Sequence, residues 1–309
     1  MTEFQGRFDS KTIAPKKALG QHFLHDQTVL ERIAALARPE PGSGLIEIGP
    51  GTGNLTAHLI ARAEDAKIVV VERDRRMPDV LRARFGDDAL VIEEGDAVKV
   101  DYTALIAEHG LGEAPVIVGN LPYNAGVPIL FSTLEARPKR IIVMLQREVA
   151  LRLAAKEGSK AYGQVSVKVQ LLADVRIAFK VGRGAFSPPP KVMSAVLVLT
   201  PLAKLRHEVP SKTRLWRLLE AGFGQRRKTL ARALSNTLKL PKELVQAELV
   251  ALGFPETARA EQLDLASWAA LATRLDEALV PLLAAGAQTN APAKPLPDPD
   301  TFETEGPTS

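Results

Sequence analysis

Between residues 44 and 201 short, wholly apolar runs alternate with amphipathic stretches, and this alternation constrains the fold more than any other feature of the chain. The segments 44–49 (GLIEIG), 67–72 (KIVVVE), 89–93, 115–119 (PVIVG) and 140–145 (RIIVML) read as strands. Helical patterns fall between them, including 55–62 and 75–85, the latter with Asp74 as N-cap and Pro78 tolerated in its first turn. A strand that is apolar along its whole length is buried on both faces. Such strands joined by helices predict a parallel α/β sheet covered on either side. The stretches 165–181 and 192–200 (VMSAVLVLT) read as two further strand-rich segments, which predict an antiparallel edge. Between them lies a loop, 182–191, whose Pro188, Pro189 and Pro190 exclude helix and sheet interior.

After Pro201 the pattern becomes helical, over 213–222, 228–238, 242–252 and 265–278. The predicted organisation is a sheet domain with an N-terminal arm over 1–204, a small all-α domain over 205–285 and a tail over 286–309. The tail holds five prolines and few apolar residues, the composition of a disordered segment. The chain carries 40 Lys and Arg against 36 Asp and Glu, net +4. The tail accounts for −3 of this, so residues 1–285 carry +7. Residues 204–232 alone hold nine Lys or Arg and two Glu. That concentration fits a polyanion partner, with a solvated helix face as the alternative. Cysteine is absent, which excludes disulfides, thiolate metal sites and cysteine nucleophiles. Five histidines without an HExxH-type pair give no reason to expect a metal. No apolar run reaches the roughly 18 residues of a membrane span, and the first residues lack the apolar core of a secretory signal. The expectation is a cytoplasmic protein with no membrane partner.

Six motifs carry the chemistry. Glu47-Ile-Gly49-Pro-Gly51-Thr-Gly53-Asn54 follows a strand and opens a helix, where glycines let the backbone approach a ligand closely. Glu72 closes the next strand, 21 residues after Gly51, where a carboxylate can hold both ribose hydroxyls of an adenosine. A tight turn with a capping acid is the alternative. Asp96, in Glu94-Gly-Asp-Ala97 after the third strand, can accept from an exocyclic amine such as adenine N6, or can be a turn residue. Gly119-Asn120-Leu121-Pro122-Tyr123 ends the fourth strand, where ligands of open α/β sheets bind.

The residue types of this third motif fit methylation of an exocyclic amine. The lone pair of adenine N6 is delocalised into the ring, and two acceptors holding its N–H groups favour pyramidal geometry. Asn120 Oδ1 and the Leu121 carbonyl can supply them. Pro122 stiffens the turn, and Tyr123 offers a face for an extruded base. The segment 17–26 (KALGQHFLHD) reads as a helix start with Asp26 as N-cap. Phe186, in the loop Phe186-Ser-Pro-Pro-Pro-Lys-Val192, is a second stacking face or an ordinary buried side chain. Arg226, Arg227 and Lys228 stand at a predicted helix start, against the macrodipole, which favours a phosphate partner.

Together GQHFL, EIGPGTGNLT, VVVERD, EGDA, GNLPYN, MLQREVALRL, FSPPPKV and FGQRRKTL resemble the ribosomal RNA adenine N6,N6-dimethyltransferases, specifically the bacterial small-subunit branch. The similarity runs in order from Lys17 to about Leu265. The resemblance implies a class I methyltransferase fold: a Rossmann-like seven-stranded sheet with a small all-α C-terminal domain. It implies S-adenosylmethionine as cofactor, S-adenosylhomocysteine as product and no metal, with binding positions at His22, Leu24, Gly49, Gly51, Glu72, Asp96 and Asn120. Family members often have Asn where His22 stands, so a backbone or imidazole contact is expected there. Asn120, Leu121, Pro122, Tyr123 and Phe186 become the catalytic set, and Arg226, Arg227 and Lys228 the RNA contact.

The implied substrate is a pair of adjacent adenosines in a hairpin near the 3′ end of small-subunit ribosomal RNA. The implied setting is a partly assembled pre-ribosomal subunit, with the enzyme acting as a monomer by direct attack of N6 on the methyl group. Three other readings remain to be weighed. One is a large-subunit adenine dimethylase of the antibiotic-resistance type. Another is an assembly checkpoint factor in which binding outweighs methylation. The third, a nicotinamide oxidoreductase, more usually shows G-x-G-x-x-G and gives Asn-Leu-Pro-Tyr no role.

Overall fold

The apolar runs do form a central sheet. The computed structural model describes residues 14–16, 21–63 and 65–276. The strands β1 (Phe23–Leu24), β2 (Leu45–Ile48), β3 (Ile68–Glu72), β4 (Val91–Glu94), β5 (Val116–Asn120) and β6 (Arg140–Gln146) are followed by β7 (Ala173–Val181), β8 (Phe186–Ser187) and β9 (Ser194–Pro201). Seven of them make one sheet in the order β4-β3-β2-β5-β6-β9-β7. β2 to β6 are mutually parallel, while β9 runs antiparallel to both β6 and β7. Every residue of β2 and β3 is buried, which is why these strands show no alternation. The remaining pair, β1 and β8, forms a two-stranded ribbon that ties the N-terminal arm to the proline loop.

Winding proceeds outward from β2 through β3 to β4, then returns to the other side of β2 with β5. The direction reverses between β2 and β5, so their carboxyl ends diverge and leave a crevice. The helices α1 (Gln27–Leu36), α2 (Asn54–Ile60), α3 (Met77–Phe85), α4 (Tyr102–Glu108) and α5 (Gly126–Glu135) connect the strands. Asp26 caps α1, as expected, by accepting from the Val29 amide at 3.0 Å. Asp101 caps α4 in the same way.

Asp74 does not cap α3. That helix begins two residues later than expected, at Met77, and has Pro78 in its first turn. The Asp74 carboxylate is instead taken by Arg76, Lys16 and Gln21. Charge-assisted bonds of this kind outweigh the roughly 1 kcal/mol of a neutral cap.

The stretch 165–181 is only half strand. α6 (Arg147–Leu153) leads to α7 (Gln164–Leu172), and β7 begins at Ala173. The β-branched run Val165-Ser-Val-Lys-Val169 favours a strand locally. As a helix it places Val167 and Leu171 one turn apart against the core of the helical unit, and it lets Ser166 donate to the Arg152 carbonyl and accept from the Gly163 amide. Packing and polar satisfaction override propensity. Among the described residues, 151–172 accordingly cluster with 204–276, and those up to 150 with 173–203. This grouping differs from the division at 204/205 expected from sequence by that one segment.

The helical unit also contains α8 (Lys212–Gly224), α9 (Leu230–Leu238), α10 (Lys242–Ala251) and α11 (Leu265–Arg274). Residues 277–285 and the tail 286–309 lie outside the described residues. Trp268, fully buried, stacks near Phe223, whose ring meets Tyr162 edge-on. Gly222 admits this arrangement, since a Cβ there would lie 2.8 Å from Trp268 Cη2 and 2.9 Å from Leu230 Cδ1. Gly222→Ala is expected to destabilise this unit by about 1–3 kcal/mol through overpacking, read as a lowered urea midpoint.

Candidate active site

The crevice is a cavity of about 150 Å³ at the carboxyl ends of β2, β3, β4 and β5. Its walls bring together His22, Leu24, Gly49, Gly51, Glu72, Asp96, Asn120, Leu121, Pro122 and Tyr123, ten of the residues singled out from sequence. Phe186 is the exception: it is 2% exposed, pairs with Leu24 across the ribbon and packs into the core. It is not part of the cavity wall, and its burial accords with the buried reading of this side chain. Arg226, Arg227 and Lys228 belong to the helical unit and are exposed. They do not open a helix. α8 ends at Gly224 and α9 starts after its N-cap Thr229, so the cations follow a helix C-terminus, where the macrodipole favours them.

The glycine loop needs its glycines. Gly51 and Gly53 both have positive φ, and a Cβ on Gly53 would sit 2.6 Å from Phe85 Cε2. Glu72 holds the loop in place. Its Oε2 accepts from the Gly51 amide at 3.0 Å and its Oε1 from the Asp74 amide at 2.7 Å. Each oxygen keeps a further lone pair. From below, Arg84 Nη1 donates to the Thr52 carbonyl and to Asn54 Oδ1, and Asn54 Nδ2 donates to the Leu24 carbonyl. Asp96 Oδ1 accepts from the Val98 amide, while its Oδ2 lies 3.5 Å from Arg73 Nη1. Asn120 Nδ2 donates to the His22 carbonyl at 3.1 Å, and Tyr123 shares a 2.8 Å bond with Ser194 Oγ.

The N-terminal arm is fixed over the crevice from several directions. Lys16 Nζ and Gln21 Nε2 each reach Asp74 at 3.0 Å, and Arg76 Nη1 donates to the Ala14 carbonyl. Residues 17–20, the start of the arm motif, lie outside the described residues. The Arg76 guanidinium bonded to Asp74 holds that carboxyl well below the usual range, aided by Gln21 and Lys16 and against its burial. Glu47 goes the other way. Burial pushes its carboxyl up to about 8, the nearby Glu72 charge adds to the shift and Arg84 opposes it. Glu47 Oε2 has no hydrogen-bond partner among the described residues.

Sequence reasoning missed Arg84, Asp74 and Arg76 as parts of this site. Apart from the Asp74–Arg76 pair itself, their partners lie 30 to 62 positions away, and only Asp74 carries a local signal, which reads as a cap.

No group of His, Asp and Glu able to hold a metal occurs among the described residues. Nor is any helix there long and apolar enough to cross a membrane.

A sheet of this order, with a glycine loop after β2, an acid ending β3 and the crevice at the reversal, defines a class I methyltransferase. The chain belongs to the ribosomal RNA adenine dimethylase family, whose profile matches residues 14–277. It is 45% identical over 273 residues to the ribosomal RNA small subunit methyltransferase A of Anaeromyxobacter sp. (strain K), covering 85% of this chain and 94% of that one. Among solved structures it is similar to a dimethyladenosine transferase from Plasmodium falciparum, with 27% identity, a TM-score of 0.70 and coverage of 83% and 98%. The 23S rRNA methyltransferase ErmE follows with 26% identity, a TM-score of 0.63 and coverage of 82% and 99%.

The buried Glu47 gives a pH signature. Its carboxyl ionises near 4.5 in the unfolded chain but keeps its proton to about 8 when folded. The folded state therefore binds more protons in that window, and this group's contribution to stability, complete at lower pH, is lost as pH rises through it. Glu47→Gln removes the dependence. The urea midpoint of the variant minus that of the parent is expected to grow from about pH 5 to about pH 8.

Proposed function

We propose that this protein transfers methyl groups from S-adenosylmethionine to N6 of two adjacent adenosines in a hairpin near the 3′ end of small-subunit ribosomal RNA. In this reading it works as a monomer in the cytoplasm, on a partly assembled subunit. The observation that carries the reading is the placement of Asn120-Leu121-Pro122-Tyr123 at the end of β5, in the same cavity as the glycine loop, Glu72 and Asp96. Membership of the adenine dimethylase family supports it. The higher identity to a small-subunit relative than to the large-subunit enzyme supports the choice of ribosomal RNA.

The crevice suits an adenosyl sulfonium ligand. The positive-φ glycines leave room beside the backbone, and Glu72 in the cavity wall can accept from ribose hydroxyls. Glu72, Asp96 and the loop around Gly49 and Gly51 would hold the cofactor, with His22 and Leu24 closing over it. When bound, it supplies a methyl group already activated by a positively charged sulfur, so positioning is the main task of the protein.

Asn120 is placed for that task. Its Nδ2 is committed to the His22 carbonyl, which orients Oδ1 as the acceptor for one N–H of the target amine. The Leu121 carbonyl takes the other. Tyr123, anchored through its hydroxyl to Ser194, presents its ring to the extruded base. Holding both N–H groups favours pyramidal nitrogen and frees its lone pair. The proton leaves after transfer, so no general base is assigned.

Incubation with labelled S-adenosylmethionine and small subunits lacking the modification should yield N6,N6-dimethyladenosine on nucleoside analysis. Its absence would overturn the reading. Asn120→Ala should keep its circular dichroism spectrum and lose about a hundredfold or more in turnover. Near-normal transfer by that variant would remove Asn120 from the mechanism. Replacing Arg226, Arg227 and Lys228 together by alanine should weaken RNA binding and reduce the slope of log affinity against log salt by about 2. An unchanged slope would place the RNA contact elsewhere.

A further inference from the structure

The resemblance gives His22 a cofactor contact, but its imidazole is engaged elsewhere. The ring lies on that of Tyr123, with centroids 5.7 Å apart and planes 30° from parallel. Its Nδ1 donates to the Pro188 carbonyl at 2.8 Å, which fixes the ring. The backbone around it is equally constrained. The His22 carbonyl accepts from Asn120, and the next two residues form the ribbon with Phe186 and Ser187. His22 therefore touches both groups assigned to the target base, Asn120 through its main chain and Tyr123 through its side chain.

We propose that His22 is a positioning residue for the target adenine: its imidazole backs one face of the Tyr123 ring and so holds the other face ready for the base. The proposal rests on the base-stacking role given to Tyr123 above. An isolated Tyr ring held only by its hydroxyl can rotate about that anchor. Tyr123 has two supports, Ser194 at the hydroxyl and His22 on the ring face, and together they fix its plane. Offset aromatic contacts of this kind stabilise by roughly 0.5–1.5 kcal/mol beyond burial. That stabilisation keeps the ring in its working orientation before RNA arrives, so that binding does not have to order it. The bond to Pro188 fixes the imidazole in turn. It couples the stack to the proline loop, whose far end at Ser194 already holds the Tyr123 hydroxyl.

In this chain the ring at position 22, and not a hydrogen-bonding group, is what backs Tyr123. His22→Ala removes the backing ring, His22→Asn keeps polarity without a ring, and His22→Phe keeps a ring without the Pro188 bond. Steady-state methylation of small subunits by each variant gives kcat, and calorimetry with S-adenosylmethionine gives cofactor affinity. The expected result is a loss of about tenfold in kcat for the Ala and Asn variants, with cofactor affinity falling by less than kcat. The Phe variant should recover most of that turnover.

Unchanged turnover in His22→Ala would overturn the proposal. So would a loss confined to cofactor affinity, or a Phe variant no better than Ala. If His22→Ala does not fold, the comparison of Asn with Phe decides. Formation of dimethyladenosine by the parent protein is measured in the same assay. Failure there strikes the functional reading, whereas an active parent with indifferent variants strikes only the role of His22.

Discussion

One carboxylate joins two of the loops that line the crevice. Glu72 ends a strand in the middle of a buried sheet, and its two oxygens accept from the backbone of two different loops, at Gly51 and at Asp74. The first bond fixes the glycine turn that leaves β2. The second fixes the turn that leaves β3 and, through Asp74, the arm that crosses the opening. Burial raises the pKa of Glu72, while these amide bonds oppose that rise. A side chain so placed stabilises the loops as a carboxylate and still has lone pairs directed to the cavity. The geometry of the ligand site and the local backbone order thus depend on the same two oxygens.

The neighbouring acids show how environment rather than residue type sets ionisation. Glu47 and Asp74 are both nearly inaccessible to solvent. Asp74 meets a guanidinium, an ammonium and an amide, so its charge is favoured despite burial. Burial raises the carboxyl of Glu47 against a Thr56 hydrogen bond, and the Glu72 charge adds to the rise, so its proton is retained. One locks the arm electrostatically, and the other lies in the cavity wall with one oxygen unpartnered among the described residues. Arg84 moderates the second by its charge while holding the Thr52 carbonyl.

The site is assembled on rigid elements with little left to loops alone. Asn120 is the last residue of β5, Glu72 the last of β3, and the glycine turn starts directly after β2. Their relative positions are set by ladder hydrogen bonds, including the register that places Ile48 beside Gly119 and Val71. The arm then adds main-chain acceptors at His22 and Leu24 for Asn120 and Asn54. This division of labour suits a reaction in which orientation of an already activated donor is the main requirement.

By itself the sequence determined the parallel sheet, the glycine turn, the acid at the end of β3 and the Asn-Leu-Pro-Tyr segment, because each is encoded by contiguous residues. Apolar runs report burial on two faces, and positive-φ turns report themselves through glycine. Tertiary structure decided the rest. It turned 164–172 into a helix, since Val167 and Leu171 pack with distant segments of the helical unit, and Ser166 bonds back to Arg152. It took Phe186 out of the site, since its β1 partner and core neighbours are not written next to it. It moved Asp74 from cap to clamp, because charged groups from the arm compete for its oxygens more strongly than a helix N-terminus does. Residues whose roles rest on short-range backbone conformation were legible in order. Those whose roles rest on hydrogen bonds and packing across 50 to 170 positions acquired them only when the chain closed.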